Sequence, residues 1–522
     1  MLAQIQEYQN LDQFISSACQ RYGDQDAFTS VGKTLTFAQI DTLAEQLAGY
    51  FYGQGLRAGD RIAIQLPNVN QYPIVVYAAF KLGLVVVNTN PLYTPREMLH
   101  QFNDSGAKAL VILADLYPKL AGIIADTEIE HLVCTGAADL LLDSSEAVSE
   151  RGVSWHQALA EGQGQDFPRS SAHLEDVAVL QYTGGTTGVS KGAQLTHKNL
   201  IANALQTKEA FGDRYHDASE IFICPLPLYH IYAFTLSILI NTASGNHSVL
   251  IPNPRDLDAF VNAIKPFRFT SFAGINTLFV GLCATKAFTE LDFSRLRLTV
   301  SGGAALTTTA ANAWAKTTGC SISEGYGLSE TSPVVTLNQP GGEQIGTVGF
   351  PVRDTEVELW DEHDCAVADG DSGQIVVRGP QVMKGYWNRP EESAKALTAD
   401  GFFKTGDVGI RLDNGAIKVV DRLKDMIIVS GFNVYPNEVE DVLVSHPAVF
   451  EAAVVGKADE RSGEAVHAYI TVKQAVDEKE LQEFCRQQLT NYKVPKHIHI
   501  LDELPKSTVG KILRRELRDD KA

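Results

Sequence analysis

A chain of 522 residues with a formal net charge of −19 is too long for one ordinary core, so roughly two to four domains or subdomains are expected. With 44% hydrophobic and 20% charged residues it reads as a soluble globular protein. The acidic balance argues against nucleic acid as a partner, because duplex binding needs a basic face, yet a few local cations or a magnesium ion can still serve a small anion.

From residue 36 the pattern alternates between helix and strand. Thr36 is placed to cap an amphipathic helix running through Tyr50, and RIAIQL (61–66) reads as a buried strand. Residues 72–82 read as a helix, with LVVVNTN (84–90) and ALVIL (109–113) as further strands. HSVLIP (247–252) and RLRLTVSGG (295–303) are predicted strands on either side of a helix over 256–267. This alternation predicts an α/β fold, a large N-terminal domain of parallel, helix-covered sheets. IFICPLPLYHIYAFTLSILI (221–240) has the length and apolarity of a membrane span, but Pro225, Pro227 and His230 interrupt its first half. A buried loop leading into a core helix is the better reading.

After about residue 340 the texture changes. GTVGFPV, EVELWD and GQIVVRG are short and glycine-punctuated, which predicts a β-rich subdomain over about 340–420 inside a domain spanning 1–420. The charged run DRLKDMI (421–427) then leads into a small mobile α+β C-terminal domain, 425–522. Residues 421–424 are the candidate hinge, with a charged turn inside one rigid unit as the alternative. Seven cysteines, at 19, 134, 224, 283, 320, 365 and 485, form no CxxC pair and suit a reducing compartment. The first residues, MLAQIQEYQN, lack a signal-peptide pattern, so a cytoplasmic location is expected.

The stretch with most chemical character is LQYTGGTTGVSKGA (180–193). Glycines allow backbone amides to approach an anion, while hydroxyls and a lysine add donors, so a polyphosphate cradle is the functional reading and a surface turn the bland one. A P-loop is excluded, because Lys191 follows Ser190 and precedes Gly192. SGGAAL (301–306) puts glycines at a strand's carboxyl end, where open α/β sheets bind ligands. EGYGLSET (324–331) offers a flat ring, Tyr326, and a carboxylate, Glu330, able to hold magnesium. TGD (405–407) sets Asp407 in a glycine turn suited to a ribose diol, and Arg422 adds a donor. Lys511 follows Gly510 in LPKSTVGKILRREL (504–517), where a solvated lysine is the simplest local explanation.

Taken together with PLPLYHIYAF (225–234), GINTLF (274–279), KTGD (404–407) and VVDRLKDMIIVSGFNVYPNEVE (419–440), these motifs stand in the order of a known family. The chain resembles the adenylate-forming (AMP-binding) superfamily, which includes acyl- and aryl-CoA synthetases. Within it the motifs are most similar to those of bacterial long-chain fatty acyl-CoA ligases. The resemblance implies AMP-forming ligation of a fatty acid to coenzyme A, with ATP, Mg2+ and coenzyme A as cofactors. It implies that Tyr182, Thr183, Gly184, Gly185, Thr186, Thr187, Gly188 and Lys191 belong to the phosphate loop. Gly303 and Ala304 would line the adenine pocket, and Glu324, Gly325, Tyr326, Gly327 and Ser329 the rest of the nucleotide motif, with Tyr326 stacked on the base. Glu330 would ligate magnesium with Thr186, Asp407 would bind the ribose hydroxyls, and Arg422 and Lys424 would support the nucleotide. Lys511, Glu330 and His230 are the implied catalytic residues, Lys511 as the adenylation lysine and His230 as either an acyl gate or a packed pocket histidine. Tyr229, His230, Gly274, Ile275, Asn276 and Gly302 would form the acyl pocket, and Ser430, Gly431 and Phe432 the pantetheine tunnel.

Two residues depart from the family pattern. Ser190 stands where many members have proline, and Ser329 where threonine is more usual. Both keep a mobile backbone or a hydroxyl. A medium-chain or aryl ligase, an acyl-AMP ligase serving a carrier protein, and a non-catalytic nucleotide sensor are the alternatives, the last of which would be expected to lose Lys511 or Glu330. The expected partners are small molecules, with peripheral contact at the inner face of a membrane and a homodimer both left open.

Overall fold

The computed structural model describes residues 2–144, 152–183, 190–430, 432–459, 461–507 and 512–519. Two large sheets build the N-terminal part. In the first, seven strands run in the order Val153–Ser154, His131–Thr135, Ala107–Leu113, Arg61–Gln65, Val85–Asn88, Val177–Thr183, Lys191–Thr196. All neighbours are parallel except the last pair, which is antiparallel. In the second, nine-stranded sheet, Ile322–Gly327, Leu298–Ser301, Ser271–Gly274, Ile221–Cys224, His247–Leu250 and Asp26–Ser30 run parallel, flanked at both edges by antiparallel strands. The α/β reading of the sequence therefore holds.

Local chemistry accounts for the elements between them. Thr36 accepts from the Gln39 amide and Gln39 returns the bond, a capping box that starts the helix Phe37–Gly53. The helix Gln71–Leu82 is buried at every one of its positions. Such a helix belongs inside a core, and the largest apolar cluster indeed joins Ile62 and Val86 of one sheet to Phe222 and Val300 of the other. Lys81 can be buried there because Asp41 and Glu45 meet its ammonium at 2.6 and 3.0 Å.

The segment 221–240 is a strand, Ile221–Cys224, then a loop, then a helix beginning at Ile231 that adopts π-helical winding over Phe234–Ile240, all seven residues buried. No helix among the described residues is long and apolar enough to cross a membrane.

Beyond residue 340 the structure refines the sequence reading. GTVGFPV bridges two sheets: Val348 N donates to the Ile417 carbonyl and Ile417 N to the Gly349 carbonyl, both at 2.8 Å, tying it to the small β-rich unit, while Phe350–Pro351 pairs with Val334–Leu337 at the edge of the nine-stranded sheet. The small sheet is the antiparallel succession Glu356–Trp360, Ser372–Arg378, Phe403–Arg411 and Ile417–Arg422. Its last strand runs on past residue 420, so Asp421 and Arg422 are strand residues. The C-terminal module packs the helices Pro436–Ser445 and Glu478–Arg486 on the strands Val449–Asp459, Gly463–Val472 and His497–Ile500, around a core of its own.

At the tip of the hairpin between Ile322–Gly327 and Val334–Leu337, a side chain on Gly327 would collide with the Pro333 carbonyl. Backbone cannot yield as a flexible side chain does. Gly327→Ala is expected to cost about 1–3 kcal/mol, read as a lower midpoint in urea unfolding. An unchanged midpoint would show that the hairpin tip relaxes freely.

Candidate active site

The carboxyl ends of three adjacent parallel strands bring together the loops that carry the motifs. Gly274 ends one strand, Ser301 its neighbour, and Glu324 pairs with Ser301 on the next. Ile275 and Asn276 start a helix there, and the Asn276 side-chain Oδ1 accepts from the amide and hydroxyl of Thr307 at 2.9 and 3.0 Å. That pair ties the acyl-pocket motif to the SGGAAL loop. Gly303 takes a left-handed φ of +82° within this loop. Gly302 lies beneath the Tyr232 ring, where an added methyl would sit 3.5 Å from the ring edge and from the Gly325 carbonyl. His230 caps the next helix, its Nδ1 accepting from the Tyr232 amide at 3.3 Å, which leaves the neutral ring's proton on Nε2. Tyr229 presents its carbonyl to the Gln181 side chain at 3.0 Å.

Asp407 is the electrostatic centre of the site. The Tyr326 hydroxyl donates to one of its oxygens at 2.7 Å, and Arg422 Nε meets the other at 2.8 Å. The arginine is there because Asp407 and Arg422 are paired across neighbouring strands of the small sheet. Burial, aided by the Asp407 charge, pushes the Tyr326 hydroxyl well above its ordinary value, so it remains a donor.

The two glutamates of EGYGLSET have opposite environments. Glu324 is 8% exposed, and its carboxyl accepts from the Leu306 amide at 3.0 Å. Burial, with the nearby Asp441 charge of the C-terminal module, raises it to about 8, against only the Leu306 bond. Its side chain thus braces the SGGAAL loop. Glu330 lies on the short turn Ser329–Thr331 and is held by the Tyr386 hydroxyl, which donates to its Oε1 at 2.8 Å. Burial raises Glu330 as well, while the Tyr386 bond and the Arg422 charge oppose the shift. Among the described residues no three His, Cys, Asp or Glu groups form a metal cage. A single hard carboxylate suits Mg2+, which keeps several waters and is completed by substrate phosphates.

Thr183 and Lys191 are cross-strand partners and so close the base of the phosphate loop. Gly184, Gly185, Thr186, Thr187 and Gly188 lie outside the described residues, as do Gly431 and Lys511. Tyr182 is 6% exposed and its hydroxyl donates to Asp104 at 2.7 Å, so its side chain anchors the strand that enters the loop. Lys191 forms an ion pair with Glu392, and its ammonium lies 5.0 Å from the centre of the Tyr386 ring. Tyr386, Arg389 and Glu392 were missed by sequence reasoning. KGYWNRPEE has none of the glycine and hydroxyl density of a phosphate loop, and its one signal is two aromatic residues among charges.

The C-terminal module presents other groups. Lys424 is exposed in the turn after Arg422. Ser430 has a φ of +52°, and Phe432, 57% exposed, stacks on Tyr492 of the same module at 4.9 Å.

With this geometry in hand, the sequence pattern of the AMP-binding enzyme family matches residues 15–387, and that of the AMP-binding enzyme C-terminal domain matches residues 438–511. The chain belongs to the AMP-binding enzyme family. This AMP-binding enzyme is 42% identical to the long-chain-fatty-acid–CoA ligase of Salmonella typhimurium, over 98% of this chain and 95% of that one. Its fold is similar to that of the anthranilate CoA ligase AuaEII in complex with anthranoyl-AMP, with a TM-score of 0.90 at 27% identity, covering 98% and 96% of the two chains. It is similar also to ATP-bound MatB from Rhodopseudomonas palustris, with a TM-score of 0.88 at 28% identity and 98% coverage of both.

The neutral Glu324 has a thermodynamic consequence. Its folded value of about 8 lies above the ordinary 4.5, so the folded state holds a proton that the unfolded chain loses. That stabilisation is fully present below about pH 4.5 and is lost as the pH rises towards 8. Glu324→Gln is therefore expected to flatten the fall of Tm between about pH 5 and 8, measured by calorimetry. Parallel wild-type and variant curves would mean that Glu324 is ionised in the fold.

Proposed function

We propose that this chain converts a fatty acid, ATP and coenzyme A into acyl-CoA, AMP and pyrophosphate through two half-reactions at one site. The observation that carries the assignment of roles is the meeting of Asp407, Tyr326, Arg422 and Glu330 at the ends of the parallel strands, beside the base of the phosphate loop. The fatty carboxylate attacks the α-phosphorus, pyrophosphate leaves, and the acyl adenylate forms. Coenzyme A thiol then attacks the acyl carbon and AMP departs. No covalent enzyme nucleophile is needed.

The difficulty of the first step is electrostatic. Two unit charges about 4 Å apart repel by roughly 4 kcal/mol at an effective dielectric near 20. Each 1.4 kcal/mol is tenfold in rate, so neutralisation is worth orders of magnitude. Lys191 clamps the departing pyrophosphate. Lys511 bridges the attacking carboxylate and the α-phosphate. Asp407 accepts the ribose hydroxyls, with Arg422 fixing its orientation, and Gly303 and Ala304 line the adenine side. Glu330 would hold Mg2+, which when bound supplies charge neutralisation at the phosphate oxygens. In the second half-reaction the lysine is an obstruction. Rotation about residues 421–424 would withdraw Lys511 and bring the Ser430–Phe432 hairpin to the site as the pantetheine tunnel.

An aryl or medium-chain acid is the second reading, favoured by the fold's likeness to an anthranilate ligase. Each buried methylene contributes ~0.8 kcal/mol, so pocket depth decides the preference. C6 to C18 acids, assayed for coenzyme A- and ATP-dependent AMP release, are expected to show highest kcat/KM among the long chains. Strong activity confined to an aryl acid would overturn that assignment.

The two lysines separate by half-reaction. Lys511→Ala is expected to lower acyl-AMP formation by about three orders of magnitude while leaving thioester formation from supplied acyl-AMP largely intact. Lys191→Ala should mainly raise KM for ATP. Single-turnover assays of each half-reaction test this, and the reverse order of severity would place the chemistry at the wrong end of the chain.

A further inference from the structure

We propose that Tyr386 is the positioning residue for the Glu330 carboxylate, setting the metal site through its hydroxyl. The inference rests on the reading of Glu330 as the magnesium ligand. Three observations lead to it.

Tyr386 is held from several sides. Its amide donates to Ser393 Oγ at 2.8 Å, and its neighbours pair with the strand that leaves the phosphate loop. Lys384 N donates to Gln194 O at 3.0 Å, Gln194 N to Gly385 O at 2.9 Å, and Trp387 N to Gly192 O at 2.8 Å. Trp387 Nε1 and Arg389 Nη2 both donate to Asp104, to its carbonyl and its carboxylate, at 3.0 and 2.8 Å. The segment is thus built as a rigid insert and not as a passing loop.

Its target is gripped from the backbone too. Met383 N donates to the Glu330 carbonyl at 2.8 Å, while Tyr386 Oη donates to the same residue's Oε1 at 2.8 Å. One short stretch therefore fixes both the main chain and the side chain of Glu330. A carboxylate oxygen oriented by a donor presents its remaining lone pairs in a fixed direction, and such outer partners govern metal affinity.

The same ring also faces the phosphate clamp, since Lys191 Nζ lies 5.0 Å from its centre. A cation over the face is attracted by the ring quadrupole, which helps hold the two side chains together. Tyr386 thereby stands between the residue that receives the leaving phosphates and the residue that receives the metal.

The test is Tyr386→Phe in the full chain, which keeps the ring under Lys191 and removes the hydroxyl alone. Mn2+ binding in the presence of a non-hydrolysable ATP analogue, followed by the electron paramagnetic resonance of free Mn2+, is expected to weaken about ten- to a hundredfold. The Mg2+ midpoint for adenylation should rise in parallel, with KM for the fatty acid unmoved. Tyr386→Ala should shift the Mn2+ midpoint no further than Phe does. A normal midpoint in Tyr386→Phe, or a shift seen in Ala alone, would overturn the proposal and leave Tyr386 a packing residue. Glu330→Gln distinguishes the levels: normal Mn2+ binding in that variant refutes Glu330 as the ligand, whereas weak binding there with normal binding in Tyr386→Phe refutes only the role of Tyr386.

Discussion

Asp407 joins parts of the molecule that the chain keeps far apart. One oxygen receives the Tyr326 hydroxyl from the end of the nine-stranded sheet, and the other meets Arg422 from the small antiparallel sheet. A carboxylate 5% exposed is costly unless paired, and Tyr326 and Arg422 supply the pairing. Strand register does most of the positioning, because Asp407 lies opposite Arg422 whatever the rest of the site does. The surroundings of Asp407 are thus assembled by two sheets and become complete only when both have folded.

A second network begins one residue before that arginine and faces the C-terminal module. Asp421 is buried, accepts from the Asn437 amide at 2.9 Å, and is approached by Arg514 at 3.4 Å. Arg514 also donates to Glu440 at 2.7 and 3.0 Å and reaches towards Asp425, which Arg518 meets at 2.6 Å. Burial lifts Asp421 to about 6, with Arg514 opposing it. The rotation proposed about residues 421–424 has to exchange the bonds of Asp421 to Asn437 and Arg514, while the Arg514–Glu440 and Arg518–Asp425 pairs move with the C-terminal module. The bond from Asn437 to the Val420 carbonyl, 3.0 Å, crosses the same point and would break as well.

Much of this was legible in the sequence for physical reasons. Helix caps such as Thr36, the strands of the parallel sheets, and the glycine turns at strand ends are local signals that survive without tertiary knowledge. The motifs named the residues near the site, Asp407, Arg422, Tyr326 and Glu330 among them. What was lost depends on pairing at long range. Tyr182 reads as part of a phosphate loop, and only the fold shows that its hydroxyl goes to Asp104, on a helix 78 residues earlier. GTVGFPV reads as the start of the small sheet by its texture, but only long-range pairing shows that it serves both sheets, bonding Ile417 of the small one and pairing Phe350–Pro351 with the large one. KGYWNRPEE carries no anion-binding composition, since its contribution is to hold other side chains and not to touch a phosphate itself.

An acidic protein that handles polyphosphate must also keep its own carboxylates from repelling the substrate. The site does this by a different device for each. Glu324 is driven to about 8 by burial and is largely neutral at pH 7. Asp407 is matched by Arg422, and Glu392 by Lys191. Glu330, the carboxylate proposed to hold the metal, accepts a hydrogen bond from the Tyr386 phenol, which adds no charge. The sorting follows environment and not residue type, as Glu324 and Glu330 stand six positions apart in one motif. A net charge of −19 is therefore compatible with an anion site, because what the substrate meets is the local remainder after these pairings and not the total.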